Sequence, residues 1–537
     1  MPFFMKKYVC LLCLACLAFS APAQTVGLFQ NDADAFNGYT LFAPTGFRTT
    51  WLIDNCGRTI KYWESDFSPG MMAYLLPDGH LLRSARIASN FSGGGSGGRL
   101  ELFDWGGNLI WSYNYSTNTY HQHHDLHPLP NGNILILAWE KWTEAEALAA
   151  GRTPDAVTSQ GIWGEKVVEV RPIGSGDLEV VWEWRLWDHL VQDIDPTKSN
   201  FGVVADAPGR VNINYAVEHG IDWVHCNSLD YNPELDQIML SSRNFNELWV
   251  IDHATTTAEA AGPAGDLLYR WGNPAAWNRG TPDDQRFFGQ HDAHWIPPGR
   301  PDAGKIMVFN NGEGRPDGAY SSVEIIAPPL NADLHYDLSP GQSYAPDAPE
   351  WKYTAAPPED FFSPRISGAQ RQPNGNTLIC NGALGAFFEI TPAGKTVWKY
   401  INPVGPDGPV AQGTNPVGNS VFQVIRYAPD YPAFENKNLF PGDPVELDPA
   451  PYACDIYTDT EAAPNVPDAF VRVLQNPVGD RFLVENESEK EVEMVVISPT
   501  GLRVGTYFLS NNENAVPTGD WPAGVLFVRF SIPETGA

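Results

Sequence analysis

The chain has 537 residues, of which 64 are acidic and 34 basic, giving a formal net charge of −30 at pH 7. A surface this acidic repels nucleic acids and anionic membranes, so neither is an expected partner. The 18 tryptophans, 49 glycines and 46 prolines favour short strands joined by many turns. We therefore expect an all-β protein in which only residues 143–150 are predicted to form a helix.

Residues 1–23 have the pattern of a secretory signal peptide. A basic start precedes an apolar run over 8–19, and the small residues Ala21 and Ala23 follow it. The apolar run is too short to span a bilayer. A lipoprotein anchored at Cys16 is the alternative, but Cys16 lies inside the apolar run. We expect a protein that passes through the periplasm and is secreted or held at the cell surface.

Four cysteines follow the predicted signal peptide, at Cys56, Cys226, Cys380 and Cys454. No Cys-x-x-Cys pair occurs among them, so neither a zinc site nor a disulfide scaffold is expected. Cys56 and Cys454 stand near the two ends of the folded region and are candidates for one disulfide. Buried free thiols are the alternative, and it fits Cys226 and Cys380 at least as well.

A strand–turn–strand–strand unit recurs along the chain with a period of roughly 45 to 65 residues. Its best copy spans 370–400, where Pro373-Asn-Gly and Pro392-Ala-Gly supply the turn chemistry. Each copy ends in a strand that carries tryptophan. The other copies span 75–113, 129–184, 237–271 and 305–353.

A sixth copy combines the two ends of the repeat region. Residues 49–54 and 59–63 supply its outer strands, and residues 421–426 supply its inner strand. Closing a ring in this way removes exposed sheet edges, and four-stranded units of this period are β-propeller blades. We therefore predict a six-bladed β-propeller over 24–443, with five or seven blades as alternatives.

The propeller is followed by a predicted linker, 444–467, rich in Pro, Asp and Ala, and by a small β-sandwich domain over 468–537. This last domain resembles the C-terminal sorting domain of proteins exported by the type IX secretion system. The resemblance implies the type IX machinery as a partner, although the usual basic final strand is absent. An ordinary β-sandwich appendage is the alternative. The residues that carry the resemblance are Leu474-Gln-Asn-Pro-Val, Val495-Val-Ile-Ser-Pro-Thr-Gly-Leu and Trp521-Pro-Ala-Gly-Val-Leu-Phe-Val-Arg.

Three copies of the repeat carry a histidine in the same place relative to the inner strand. His124 and His291 each stand six residues before a turn proline, and a two-residue insertion follows His225. The first residues of inner strands reach the axis of a propeller, so we expect the three imidazoles to converge there. A single buried histidine usually has a structural role, but three at one repeat position favour a functional site.

A glycine-rich tract occupies residues 93–98. It lacks the lysine and the following helix of a phosphate-binding loop. We interpret it as a flexible turn between strands.

Over residues 39–427, the chain resembles the bacterial aryl-sulfate sulfotransferases. This resemblance implies a six-bladed propeller that moves a sulfo group from an aryl sulfate donor to a phenolic acceptor through a sulfohistidine. It implies no cofactor and no nucleotide sulfate donor. The matching motifs are His123-His-Asp with Pro130-Asn-Gly-Asn, Asp222-Trp-Val-His-Cys-Asn-Ser with Ser241-Ser-Arg, Gln290-His-Asp-Ala, and Phe362-Ser-Pro-Arg-Ile-Ser-Gly-Ala-Gln-Arg with Pro373-Asn-Gly-Asn.

Carried over residue by residue, the resemblance makes His291 the transiently sulfated nucleophile. His124 and His225 assist it, while Asn227 and Arg243 hold the sulfo oxygens. A neighbouring imidazolium is expected to protonate the leaving phenolate and later to accept the proton of the incoming phenol. Arg243 follows a buried apolar strand, and we expect it to lack a partner until an anion arrives. Enteric members carry an extra N-terminal β domain that helps to form their dimer. Here the propeller is expected to begin almost at the mature terminus, so the oligomeric state stays open.

Two other functions are compatible with the sequence. Three histidines from three strands are able to hold zinc with an open position, as in a metal-dependent hydrolase or lyase. His121, His123 and His127 add further nitrogen ligands, and Asp125 and Asp292 are candidates to support them. A cation at Arg243 beside the metal argues against this site. The second alternative is a non-catalytic binding propeller.

Overall fold

The computed structural model describes residues 24–450, 454–456, 471–473, 481–486, 492–497, 503–519, 521 and 527–531. The chain forms two compact units, which divide after Tyr457. The predicted signal peptide and residues 451–453 and 457–467 of the predicted linker lie outside the described residues. Residues 444–450 belong to the first unit, where Val445 packs in the hydrophobic core. The domain boundaries stay predictions.

The first unit is a six-bladed β-propeller, as predicted. We number the blades from the N-terminal end of the repeat region and give each blade's strands from the axis outward. Blade 1 contains Val421–Tyr427, Tyr39–Pro44, Thr49–Ile53 and Thr59–Glu64. Blade 2 contains Pro69–Leu75, Leu81–Arg86, Gly98–Phe103 and Leu109–Asn114. Blade 3 contains Tyr120–Pro128, Ile134–Trp142, Ile162–Ile173 and Asp177–Arg185. Blade 4 contains Cys226–Asn232, Gln237–Ser242, Glu247–Asp252 and Tyr269–Trp271. Blade 5 contains His291–Trp295, Ile306–Asn310, Ser322–Ile326 and Trp351–Tyr353. Blade 6 has five strands, Gly368–Arg371, Thr377–Asn381, Ala386–Ile390, Thr396–Ile401 and Gly27–Asn31.

The ring closes because each inner strand contacts the inner strands of both neighbouring blades. Blade 1 joins the two ends of the chain, as predicted: Val421–Tyr427 pairs antiparallel with Tyr39–Pro44. Two of the described blade strands were not predicted from the sequence. Tyr39–Pro44 is the second strand of blade 1, and Gly27–Asn31 adds a fifth strand to blade 6 by pairing with Thr396–Ile401. Neither segment carries the turn and tryptophan signals by which the repeats were found.

The described residues contain two short α-helices, Glu144–Ala149 and Thr257–Ala260. Each begins with a capping box, in which a threonine and the glutamate three residues later bond to one another's backbone N–H. The first helix confirms the predicted one, and the second is too short to give a periodic signal. Among the described residues, no helix has the length and hydropathy of a membrane span. The remaining short elements are the 3₁₀ helices Pro154–Ala156, Leu186–His189, Val204–Asp206, Val217–His219, Pro263–Gly265, Pro274–Trp277, Pro282–Asp284, Pro358–Asp360, Gly382–Leu384 and Pro432–Phe434, with the strand pairs Leu190–Val191 and Val211–Asn212, and Val404–Gly405 and Gly408–Pro409.

The two cysteines at the ends of the propeller form a disulfide, Cys56–Cys454, across a sequence separation of 398 residues. Cys226 and Cys380 are buried free thiols. The disulfide ties the end of the propeller unit back to blade 1, at the place where the ring is closed by strands from both termini. It therefore restricts the unfolded chain over most of the propeller unit.

Replacing Cys454 with serine is expected to lower the free energy of unfolding by about 2–5 kcal/mol, because the closed loop is lost from the unfolded state. The shift is measured as a lower midpoint of denaturant unfolding. Reductant should move the wild-type midpoint toward that of Cys454→Ser and leave the variant unchanged. Equal midpoints for the two oxidised proteins would contradict this prediction.

The described strands of the second unit form two three-stranded sheets. One sheet contains Val471–Val473, Arg481–Asn486 and Asn512–Pro517, and the other contains Arg503–Leu509, Val492–Ile497 and Phe527–Ser531. Side chains from both sheets share one hydrophobic core, which includes Phe482, Val484, Met494, Leu509 and Val516. This arrangement agrees with the predicted small β domain.

Candidate functional site

The three predicted histidines lie where the inner strands of blades 3, 4 and 5 come to the axis. The backbone is left-handed at His124 (φ 46°), at His225 (φ 51°) and at Asp292 (φ 54°). In each of these blades the register between the inner and second strands also shifts near the histidine. Bulges of this kind turn a side chain away from the regular alternation of a strand. The bulges therefore account for three side chains that point to one place.

The structure brings the three histidines together around the axis. The ring centroids of His124 and His225 are 4.8 Å apart. Phe422, on the inner strand of blade 1, lies 5.9 Å from the ring of His124 and 6.4 Å from that of His291. The convergence expected from the repeat is therefore present, while the catalytic roles of these residues stay predictions.

Two hydrogen bonds fix the tautomer of His291. Its Nδ1 lies 2.8 Å from Asn311 Oδ1 and 3.1 Å from the Gly289 carbonyl oxygen, and both partners are acceptors. Nδ1 therefore carries the proton, and Nε2 carries the lone pair. Burial, helped by the charge of Arg243, lowers the pKa of His291 to about 3. At neutral pH this imidazole is uncharged and nucleophilic at Nε2.

The lone pair of His291 Nε2 accepts a hydrogen bond from the backbone N–H of Ile366, at 3.2 Å. Ile366 and Ser367 have left-handed backbones, with φ of 50° and 90°. Asn311 holds this segment, because its Nδ2 donates to the carbonyl oxygens of Ser363 and Ile366. The N–H of Ile366 thus engages the lone pair of Nε2 and must move aside before another group binds there. Asn311 carries no sequence signal, because it follows the strand Ile306–Asn310 with no motif around it.

His225 is oriented by a carboxylate. Its Nδ1 lies 2.6 Å from Asp222 Oδ2, three residues earlier in the chain. The carbonyl oxygen of His225 accepts the backbone N–H of Arg243 at 3.2 Å, so the turn after the second strand of blade 4 lies beside this histidine. The Asp222 contact leaves His225 Nε2 for a ligand.

His124 is the end of a buried hydrogen-bonded chain. Its Nδ1 lies 2.8 Å from His123 Nδ1, and His123 Nε2 lies 2.8 Å from Glu165 Oε2. His123 also stacks on Trp139, with ring centroids 4.1 Å apart. Burial lowers the pKa of both histidines well below their usual value. Burial therefore disfavours an imidazolium at His124.

Asn227 and Arg243 both lie close to the histidines, with partners that the sequence did not reveal. Asn227 is buried, and its Nδ2 donates to the carbonyl oxygen of Gln290 at 2.7 Å, next to His291. Arg243 bonds through Nη2 to Glu313 and through Nη1 to Asn244 Oδ1 at 3.1 Å. The expectation that Arg243 lacks a partner is therefore wrong. Whether either residue holds sulfo oxygens stays a prediction.

The glycine-rich tract 93–98 lies in the turn between Leu81–Arg86 and Gly98–Phe103 of blade 2, as interpreted, and it packs directly on the histidines. The carbonyl oxygen of Gly95 accepts the backbone N–H of His124 at 2.7 Å. A Cβ on Gly95 would lie 2.1 Å from His124 Cε1, and one on Gly93 would lie 2.7 Å from Trp139 Cζ2. Only glycine fits where backbone approaches a ring this closely. The tract therefore forms a wall of the site.

Further along the channel, three aspartates tie neighbouring inner strands together. Asp125 accepts the N–H of Leu229 at 2.9 Å, Asp230 that of Trp295 at 2.7 Å, and Asp292 that of Ala369 at 2.8 Å. Asp125 and Asp292, the candidates to support a metal in the alternative site, thus link neighbouring blades. Among the described residues, no group of three His, Cys, Asp or Glu side chains is arranged to hold a metal ion. The three-histidine metal site therefore gains no support from the geometry.

The fold and the site together define a closed β-propeller with three histidines gathered around its axis. The model of the arylsulfotransferase family matches residues 29–408, well over half of the chain. The chain belongs to the arylsulfotransferase family. This membership supports sulfotransferase activity. No curated protein matches the chain in sequence.

The solved structures that match this chain differ widely from it in sequence. A protein of unknown function from Bacteroides caccae is 11% identical, with 73% of this chain and 98% of that chain covered and a TM-score of 0.41. A putative 6-phosphogluconolactonase from Bacteroides fragilis is 9% identical, with coverage of 73% and 98% and a TM-score of 0.34. An inactive virginiamycin B lyase from Staphylococcus aureus is 9% identical, with coverage of 70% and 87% and a TM-score of 0.33. At these TM-scores, the similarities add nothing to the assignment.

Proposed function

We propose that this protein is an aryl-sulfate sulfotransferase that transfers a sulfo group from an aryl sulfate ester to a phenol through a sulfated His291. The observation that carries the proposal is the state of His291. Its Nδ1–H is held by Asn311 and Gly289, and its low pKa leaves Nε2 unprotonated. A neutral imidazole with a fixed lone pair is a competent nucleophile.

In the first half of the cycle, His291 Nε2 attacks the sulfur of the donor. The N–S bond forms as the S–O bond to the aryl group breaks, and the electron pair leaves on the phenolate oxygen. Donors around the sulfo group stabilise the negative charge that its oxygens carry in the transition state. Arg243 supplies a charged donor, and the Ile366 N–H, which donates to Nε2 in the free protein, becomes a neutral donor beside the sulfo group once the sulfur has displaced it.

In the second half, a phenol oxygen attacks the sulfur on His291. The S–N bond breaks, its electron pair returns to Nε2, and the phenol gives up its proton. A phenol has an ordinary pKa near 10, so this step benefits from a base at neutral pH. His124 and His225 are the nearest candidates, since both rings lie at the axis.

We also propose that the protein acts outside the cytoplasm and that the type IX machinery exports it. The predicted signal peptide and the resemblance of residues 468–537 to a sorting domain support this proposal. The Cys56–Cys454 disulfide supports an oxidising compartment, where such bonds persist.

Ping-pong kinetics are expected, because the first phenol must leave the single histidine cluster before the acceptor binds. Initial rates are measured with a chromogenic aryl sulfate and a phenol, each varied at several fixed concentrations of the other. The double-reciprocal lines should be parallel. Intersecting lines would indicate a ternary complex and would reject the sulfohistidine route. A sulfated peptide that contains His291 should be recovered after donor is added without acceptor.

A further inference from the structure

The buried chain that ends at His124 leads away from the axis into blade 3. It comprises the 2.8 Å contact from His124 Nδ1 to His123 Nδ1 and the 2.8 Å contact from His123 Nε2 to Glu165 Oε2. The other oxygen of Glu165 accepts the backbone N–H of Cys226 at 2.8 Å. Glu165 and His123 are fully buried, and His124 is nearly so. Both carboxyl oxygens of Glu165, both ring nitrogens of His123 and Nδ1 of His124 therefore have a fixed neighbour along this chain.

Glu165 differs from the buried glutamates on the third strands of other blades. In blade 4 Glu247 pairs with Arg270, in blade 6 Glu389 pairs with Arg426, and in blade 2 Glu101 pairs with Arg99 at 2.9 Å. Among the described ion pairs, Glu165 has only the imidazole of His123. A buried carboxyl without a cation favours its protonated form. Burial accordingly raises the pKa of Glu165 well above its usual range.

The hydrogen bonds of this chain are complete in two protonation states, which differ by one proton. When Glu165 is protonated, it donates to His123 Nε2, His123 Nδ1–H donates to His124 Nδ1, and His124 carries its proton on Nε2. When Glu165 is ionised, both imidazoles take the other tautomer, and His124 Nε2 carries a lone pair. Only protons move between the two states, because the stack of His123 on Trp139 and the packing of Gly95 on His124 hold both rings.

We propose that Glu165 and His123 are positioning residues that store one proton for His124 between the two halves of sulfo transfer. This proposal rests on the proposed function and adds the source of the proton. It removes the need for an imidazolium at His124, whose burial disfavours the charged ring.

The proton balance closes over one cycle. In the first half, the leaving phenolate takes the proton from His124 Nε2. His124 then takes a proton at Nδ1 from His123, and His123 takes one at Nε2 from Glu165, which becomes ionised. In the second half, the acceptor phenol gives its proton to His124 Nε2, and the same transfers run in reverse to reprotonate Glu165. The proton of each acceptor thus serves the leaving group of the next donor.

The test uses Glu165→Gln in the full-length protein. The Gln oxygen must accept the N–H of Cys226, so its amide nitrogen donates to His123 Nε2 and fixes the proton of His124 on Nε2. With 4-nitrophenyl sulfate, whose leaving group can depart without a proton, the variant should release one nitrophenolate per enzyme at a rate near that of the wild type. In the wild type the departing nitrophenolate takes the stored proton and leaves His124 Nε2 as a base, whereas Glu165→Gln has no proton to release. Transfer to phenol should then fall by about 100-fold or more, because the base is lost. Transfer to an acidic phenol that is already ionised at the assay pH should be nearly unchanged.

His123→Asn is a second variant, since asparagine still bonds to His124 Nδ1 but passes no proton to Glu165. This variant should likewise lose transfer to phenol and keep transfer to the acidic phenol that is already ionised. Glu324→Gln is the matched control, because Glu324 is a buried glutamate on the third strand of blade 5 that accepts from Ser322 Oγ and Asn310 Nδ2. This control should not change the preference for one acceptor over the other.

The possible outcomes separate the relay from the proposed function. Equal loss with both acceptors, or loss of the nitrophenolate burst in Glu165→Gln, would show a structural role and overturn the relay. Unchanged transfer to phenol in Glu165→Gln would overturn it as well. If the wild type itself neither releases nitrophenolate nor transfers the sulfo group, the proposed function is wrong, and the relay falls with it.

Discussion

Replacing His291 with asparagine is expected to abolish sulfo transfer, with a loss of about 10⁶-fold, the scale seen when the nucleophile of a covalent mechanism is removed. Asparagine is chosen because its amide nitrogen occupies the place of Nδ1 and keeps a donor toward Asn311 and Gly289. It has no counterpart of Nε2. Activity is measured as release of nitrophenolate from 4-nitrophenyl sulfate in the presence of phenol, and the sulfated peptide should disappear as well.

The alanine variant is a weaker test of the nucleophile. His291 is only 2% exposed and has three hydrogen-bond partners, so it contributes to packing as well as to chemistry. His291→Ala leaves Asn311 Oδ1 and the Ile366 N–H unpaired, at about 1–3 kcal/mol for each buried group. A melting temperature measured beside the rate separates the two effects. Turnover near the wild-type rate in a folded His291→Asn protein would show that another residue is the nucleophile.

The repeat pattern predicted most of the fold. Turn sequences such as Pro373-Asn-Gly and the tryptophan strands mark each blade, since they are local features that the chain carries wherever it folds. The closure of the ring by residues 421–426 also followed from the need to cover sheet edges. The strand Gly27–Asn31 could not be predicted in this way, because its place on blade 6 depends on a partner about 370 residues away.

The candidate site was predictable only where it follows the repeat. His124, His225 and His291 share one repeat position, and the bulges at that position bring them together. Asn311 and Glu165 have no such signal, since their importance comes from hydrogen bonds across blades. The protonation of the site was also hidden, because the pKa of a histidine depends on burial rather than on its neighbours in sequence.

Arg243→Lys is expected to lower the rate of sulfo transfer by about 100- to 1000-fold, the loss that follows removal of one donor to a developing charge. Lysine keeps the positive charge but lacks the planar fork of N–H groups, so the swap is not conservative where two oxygens are held at once. Arg243 is placed for this role by its backbone contact to His225 and by its charge, which acts on His291. The rate is measured with several donors that share the sulfo group and differ in the aryl ring.

The contact to Glu313 decides how this result is interpreted. Two of the five N–H groups of Arg243 bond to Glu313 and Asn244 among the described residues, which leaves the rest of the fork for sulfo oxygens. Glu313→Gln is the control, because Glu313 is half-exposed and its partnership with Arg243 is screened by solvent. We expect it to change the rate by less than about tenfold, a small fraction of the loss of an aimed donor. A loss in Arg243→Lys confined to bulky donors would place Arg243 at the aryl ring instead. Equal, small losses in Arg243→Lys and Glu313→Gln would make the pair a structural contact of the channel mouth, with no grip on the sulfo group.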